Sequence, residues 1–172
     1  MEYLVEIILI GGFFIAFLVT FIVMYFLGLF KENRFLSIKG RINRRKYLMI
    51  IIPCNILTVI LYYFMNSYYI EAMGDTVALI LIMLIFIMAS IISITRFTFV
   101  VRRLHDLDHP LWLAIAFFIV LEGREFLEPS TLKTTLTIIF VVASLYLLCR
   151  KGTDGPNKYG ADPLQQEKEV AD

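Results

Sequence analysis

The feature that most constrains this chain is a series of long apolar runs, rich in Leu, Ile, Val and Phe, that are separated by short polar stretches. Hydrophobic side chains make up 59% of the 172 residues and charged ones only 18%, whereas a soluble domain is about half apolar and a quarter charged. Repeated runs of this kind are typical of helices that cross a bilayer. The sequence therefore predicts an all-α, polytopic membrane helix bundle.

About five transmembrane helices are predicted, one for each apolar run. The runs are Leu4–Phe30, Tyr47–Met65, Val77–Thr95, Pro110–Leu121 and Thr134–Cys149. The fourth is short, because its helix would cover only about 18 Å of a hydrocarbon core about 30 Å thick. A re-entrant segment is the alternative for that run. In the first run, Gly11 and Gly12 would allow close contact with another helix.

The distribution of positive charge predicts the orientation. If all five runs cross, the loop Lys31–Lys46, the loop Arg96–His109 and the C-terminal segment share one side and hold 14 of the 16 Lys and Arg residues. The side that carries such an excess is normally the cytoplasm. The N-terminus is therefore expected outside and the C-terminus in the cytoplasm.

The first polar cluster, in the loop before the second run, contains Arg41, Arg44 and Arg45. On a helix these three side chains would share one face, which suits a row of lipid phosphates. Basic loops are also common beside any cytoplasmic helix end, and on charge alone that simpler interpretation is favoured.

The second polar cluster follows the third run, which if continued as helix would carry Arg96, Arg102 and Arg103 towards the headgroups. Asp106 lies three and four residues after Arg103 and Arg102, so ion pairs are available within one helix. His105 could act as a general acid or base that Asp106 orients, with the arginines binding an anion. Two alternatives stand beside this one, a polar turn locked by ion pairs and a divalent-metal site. The metal site would use His105, Asp106, Asp108 and His109.

The third polar cluster, Lys151–Pro163, contains three glycines and two prolines and is called the tail loop here. That composition excludes regular helix or strand but suits a tight set of turns. Asn157 and Tyr159 supply an amide and a ring that could anchor it. We expect the tail loop to fold back beneath the turn Arg102–Asp106, with Tyr159 at least partly buried there.

Together, and in this order between apolar runs, the three clusters resemble the domain-of-unknown-function 805 family of bacterial inner-membrane proteins. The resemblance runs from about Phe35 to Pro163 and rests on elements in all three clusters. Those elements are Gly40-Arg41 with Arg44, Arg102 to Asp106 with Trp112, and Gly152 to Gly160. The chain departs from the pattern at Lys46, where an acid is usual, at Leu48, where an aromatic is usual, and at Asp108 and Pro110-Leu111, where a Gly and a Ser-Gly pair are common.

The resemblance implies a multi-pass protein of the bacterial plasma (inner) membrane and no established activity. It divides the chain into an added N-terminal helix, residues 1–30, a family-like domain, residues 31–163, and a polar end, residues 164–172. A function shared by the family would depend on His105, Asp106 and the arginines, so the metal site becomes a minor alternative.

The leading functional hypothesis is a non-enzymatic module whose cytoplasmic face binds an anionic lipid headgroup or a partner. The anionic group would be bound by Arg41, Arg44, Arg45, Arg102 and Arg103, with Asn157 and Tyr159 as structural residues of the tail loop. The alternatives are a membrane enzyme acting on a phosphorylated lipid, with His105 and Asp106 as its acid–base pair, and a small transporter. No cofactor, metal or nucleic acid is expected. Membrane lipids are the expected partners, and self-association or a membrane-protein partner is left open.

Overall fold

The structure is a computed structural model that describes residues 2–26, 36–69, 76–123, 127 and 130–165. Its helices are α1 (Glu2–Phe26), α2 (Arg44–Tyr69), α3 (Thr76–Asp106), α4 (Leu111–Gly123) and α5 (Thr131–Cys149). The only β-type pairing within the described ranges is one isolated bridge between Asn157 and Gly160. The predicted all-α class is confirmed.

Three of these helices, α2, α3 and α5, are long and apolar enough to cross a membrane, counting only the described residues. The 13-residue helix α4 covers about 20 Å and is shorter than the hydrocarbon core. The segment Ile15–Phe26 of α1 is a further short apolar stretch. The chain is therefore a membrane protein built from apolar helices. The loops with Glu71, Asp75, Glu125 and Glu128, on which the orientation argument partly depends, lie outside the described residues, as do residues 166–172.

The chain divides into two compact units. The first contains Met1–Ser37 and Ile52–Arg96, and the second contains Ile38–Ile51 and Phe97–Asp172. The boundaries therefore fall inside α2 and α3. All the site residues proposed from the sequence belong to the second unit.

In the first unit, α1 and α3 come close at Gly12. A Cβ atom added there would lie 3.0 Å from the ring of Phe86, so the glycine allows the approach, as the sequence suggested. A Cβ atom added at Gly11 would have no other atom within 4 Å. Buried Met24 and Ile94 pack together in this unit.

Arg96 is turned inward in the first unit. It is only 4% exposed, and its Nη1 donates to Thr58 Oγ1 at 3.1 Å. The expectation that this side chain reaches the headgroups is therefore wrong. Thr58 on α2 provides a local acceptor, so the guanidinium does not need to extend along the helix to a polar environment.

The core of the second unit forms around the last turns of α3. Phe99, Val101 and Leu104 are each at most 3% exposed there. They pack with residues from α2, α4 and α5 and from the segment before α2, which are Ile42, Tyr47, Ile51, Ala114 and Leu147. Helices α4 and α5 also contact each other directly, with the rings of Phe117 and Phe140 5.3 Å apart. This core holds the end of α3 in a fixed position.

Candidate functional site

Helix α3 ends at Asp106, and the tail loop binds to that end. The last carbonyls of a helix have no partner within it and must be satisfied from outside. The backbone N–H of Thr153 donates to Asp106 O at 2.9 Å, and Thr153 Oγ1 donates to the same oxygen at 3.1 Å. Asn157 Nδ2 donates to His105 O at 2.9 Å. The tail loop therefore caps the C-terminus of α3.

The side chain of Asp106 is buried between two arginines. Its Oδ1 accepts from Arg41 Nε at 3.1 Å and from Arg41 Nη2 at 3.0 Å. Its Oδ2 accepts from Arg103 Nη1 at 2.5 Å. A carboxylate at a helix C-terminus is repelled by the helix dipole, and the two guanidinium groups offset that repulsion. We call Arg41, Arg103 and Asp106 the Asp106 cluster.

Arg41 connects the Asp106 cluster to the tail loop. It comes from the segment before α2, and its Nη1 donates to Gly155 O at 2.6 Å and less closely, at 3.4 Å, to Gly160 O. Its Nη2 donates to Thr153 O at 2.5 Å. One guanidinium thus binds a carboxylate and three backbone carbonyls, and the tail loop wraps around it.

Arg103 connects the Asp106 cluster to α5. Its Nε donates to Leu147 O at 2.8 Å, and its Nη2 donates to Arg150 O. These carbonyls belong to the last turn of α5 and the residue after it, where partners from outside the helix are needed. The side chain is completely buried. Arg103 therefore ties together the ends of α3 and α5.

Gly152 is required by the close approach of the tail loop to Asp106. A Cβ atom added at Gly152 would lie 2.1 Å from Oδ2 of Asp106 and 2.7 Å from its Cγ. These separations are far shorter than any van der Waals contact, so every other residue type would push the tail loop and the carboxylate apart.

The tail loop is also held by bonds of its own. Asn157 and Gly160 exchange two backbone hydrogen bonds of 3.0 Å. Asp162 accepts from the backbone N–H of Leu164 at 2.9 Å and of Gly155 at 3.1 Å. The Leu164 N–H lowers the pKa of the Asp162 carboxyl below its usual value, and the Gly155 N–H acts in the same direction. The loop is therefore a defined structure.

His105 and Asp106 do not form a pair. The His105 ring stacks on the ring of Tyr159 with centroids 3.8 Å apart and planes 6° from parallel. Its Nδ1 faces Gly40 O at 3.3 Å. Asp106 is bonded to the arginines instead. Tyr159 thus lies against the turn at the end of α3 and is partly buried, as the sequence predicted.

The four residues considered for a metal site have separate partners. Asp108 pairs with Lys158 at 3.3 Å, and the Nε2 atom of His109 lies 2.9 Å from Tyr146 Oη. Across the described ranges, no three His, Cys, Asp or Glu side chains are grouped closely enough to hold a metal ion. Asp108 adopts a left-handed backbone conformation, with φ of 58°. Aspartate tolerates this conformation better than most residues, so the turn forms without the glycine common in the family.

The remaining arginines of the predicted set lie elsewhere. Helix α2 begins at Arg44, after Asn43, whose Oδ1 accepts from Lys46 N at 2.9 Å in the manner of a helix N-cap. Arg41 therefore precedes the helix and does not share a face with Arg44 and Arg45, contrary to the expectation. Arg44 and Arg45 are exposed.

Arg102 is half-buried, with its guanidinium 5.5 Å above the Phe99 ring. Sequence reasoning did not single out Gly152, Thr153 or Asp162, whose roles depend on which atoms they meet. Their signals were membership of a turn-rich segment and, for Gly152, a place at the start of an element of the family pattern.

A family model described as "Protein of unknown function (DUF805)" matches residues 35–161. That range covers the Asp106 cluster and nearly all of the tail loop. No curated protein and no solved structure matches the chain. Because the match extends over well over half of the sequence, and agrees with the resemblance carried by the three polar clusters, the chain belongs to the DUF805 family.

Proposed function

We propose that this protein is a non-enzymatic membrane module whose cytoplasmic face binds anionic lipid headgroups. The observation that carries the proposal is an excess of positive charge at those described helix ends of the second unit that are predicted to be cytoplasmic. Residues 38–51, 97–110 and 150–165 contain ten Lys and Arg residues but only four acids. Such an excess at the ends of membrane helices attracts anionic lipids.

The four acids already have partners within the protein. Asp106 accepts from Arg41 and Arg103, and Asp162 accepts from backbone N–H groups. Asp154 pairs with Lys151 at 2.8 Å, and Asp108 pairs with Lys158 at 3.3 Å. None of these acids offsets the charges of the exposed side chains Arg44, Arg45 and Arg150.

The predicted arginines differ in burial, and this difference favours a structural role for the buried ones and lipid contact for the exposed ones. An external phosphate would have to displace Asp106 before it could reach Arg41 or Arg103, because both are buried against that carboxylate. Arg44 and Arg45 are exposed in the first turn of α2, where the positive end of the helix dipole adds to their charge. We therefore assign the lipid contact mainly to Arg44 and Arg45 and a structural role to the Asp106 cluster.

The geometry around His105 favours a lipid-binding function of the protein over an enzymatic one with His105 and Asp106 as the acid–base pair. A general acid or base must reach its substrate. The His105 ring is covered by Tyr159, and the residue is only 8% exposed. Asp106 is occupied by two arginines rather than oriented towards the imidazole.

For orientation we propose five spans in the bacterial inner membrane, with the N-terminus outside and the C-terminus in the cytoplasm. Reporter fusions after residues 75 and 172 test this arrangement. We expect the fusion after Asp172 to be active only with a cytoplasmic reporter and the fusion after Asp75 only with a periplasmic one. The reverse pattern would place the basic surface outside and overturn the proposal.

Lipid binding is tested by native mass spectrometry of the purified protein titrated with phosphatidylglycerol in detergent. Removing Arg44 and Arg45 by alanine substitution should weaken binding about fivefold for each charge, because a basic side chain near an anionic surface contributes about 1 kcal/mol. Lysine at both positions should restore binding only partly, since it lacks the bidentate fork.

The matched control is Lys133→Ala, which removes one positive charge at the opposite end of α5 from Arg150. We expect it to leave binding unchanged. Titration with phosphatidylcholine shows whether binding requires a net negative charge on the lipid. Titration with inorganic phosphate shows whether a phosphate group without a lipid is sufficient. Equal retention of phosphatidylglycerol by the wild type and the Arg44/Arg45 variant would contradict the assignment.

A further inference from the structure

Helix α2 exposes a regular row of side chains along one side. Ile52, Val59 and Tyr62 are 46%, 67% and 57% exposed, and Asn55 lies in the same row. Their spacing of three, four and three residues is that of the seam in a left-handed helix pair. Leu61, which is buried, and Thr58, which bonds to Arg96, lie outside the row. Other positions outside the row, such as Leu57 and Ile60, are also exposed, so the row is distinguished by its polar member.

Asn55 is the polar member of this row. It lies eight residues after Tyr47, where the apolar run of α2 begins, about 12 Å along the axis and so well inside a hydrocarbon core about 30 Å thick. Among the residues that the structure describes, none donates to or accepts from its side-chain amide. An amide that faces lipid without a partner is costly.

We propose that α2 pairs with α2 of a second copy of this chain, with Ile52, Asn55, Val59 and Tyr62 at the contact. The occupant is identified by the chemistry of Asn55. A carboxamide carries both a donor and an acceptor, so two copies related by a two-fold axis satisfy each other. A single asparagine in an otherwise apolar seam also fixes the register of two helices. Membrane helices use interhelical bonds of this kind.

Disulfide cross-linking in membranes tests the contact. In a background with Cys54→Ala and Cys149→Ala, single cysteines are placed in the row, as Ile52→Cys or Val59→Cys. The matched controls are Leu57→Cys and Ile60→Cys, which are also exposed on α2 but point away from the row. We expect rapid cross-linking within the row and slow cross-linking outside it, because a disulfide requires Cα atoms less than about 7 Å apart. Equal rates at all four positions would overturn the proposal.

The role of the amide is tested by moving it. Asn55→Leu should weaken self-association about 3- to 20-fold, measured by energy transfer in vesicles as the protein-to-lipid ratio is varied. Asn55→Leu combined with Leu57→Asn keeps the composition but carries the amide to the other side of the helix, and it should not restore association. Recovery in that swapped variant, or an unchanged equilibrium in Asn55→Leu, would overturn the proposal. Neither variant alters Arg44 or Arg45, so lipid binding is expected to remain.

Discussion

An Asp106→Asn variant is expected to lose about 3–5 kcal/mol of stability and to release the tail loop. The substitution keeps the shape of the side chain but leaves two buried guanidinium groups without a counter-charge, and breaking a buried pair in this way has a cost of that size. Arg41 also holds the carbonyls of Thr153 and Gly155, so its displacement should free the loop. Limited trypsin digestion in detergent should then cleave rapidly after Lys151 and Lys158, and thermal unfolding should begin at a lower temperature.

Asp154→Asn is the matched control for this variant. Asp154 lies in the same tail loop, but its pair with Lys151 is exposed, with side chains 77% and 69% accessible. Exposed pairs of this kind contribute at most about 1 kcal/mol. Trypsin protection of the loop should therefore remain. If Asp106→Asn is cleaved no faster than Asp154→Asn, the Asp106 cluster does not hold the tail loop.

A Gly152→Ala variant is expected to release the tail loop with every charge still present. Its methyl group would occupy the position of the Asp106 carboxylate, 2.1 Å from Oδ2. Forcing an additional carbon into a packed site typically costs about 1–3 kcal/mol, and here the atoms in the way are held by two arginines. Hydrogen exchange of the amides of Thr153 and Gly160, which donate to Asp106 O and Asn157 O, should become faster.

Gly123→Ala is the corresponding control. Gly123 ends α4 and has nothing within 4 Å of an added Cβ atom. Alanine there should be neutral or slightly stabilising, because it is the better helix former. Exchange in the tail loop should stay slow in this variant. Equal protection of the loop in Gly152→Ala would mean that the loop and Asp106 do not approach as closely as the structure has them.

If both results are obtained, the three polar clusters act as one structural unit. The Asp106 cluster would hold together the start of α2 and the ends of α3 and α5, through Arg41 and Arg103. Arg44 and Arg45, at the start of α2, would then be presented on a rigid base.

The sequence by itself determined that this protein is helical and lies in a lipid bilayer. Apolar runs of membrane length have few alternatives to helix, because backbone groups in lipid must be bonded within the same segment or within a closed barrel. The turn-forming composition of Lys151–Pro163 likewise excluded a helix there. These conclusions depend on local physics, so they could be reached without knowing which parts of the chain meet.

Tertiary structure alone decided what each arginine does. Arg41 and Arg44 are only three residues apart, yet the first is buried on Asp106 and the second is exposed at the start of α2. Arg96 turned to Thr58 instead of the headgroups because an acceptor on α2 was within reach. Gly152 became indispensable only because Asp106 occupies the space beside it. A long cationic side chain can satisfy its charge in many directions, and the choice depends on partners that are distant in sequence.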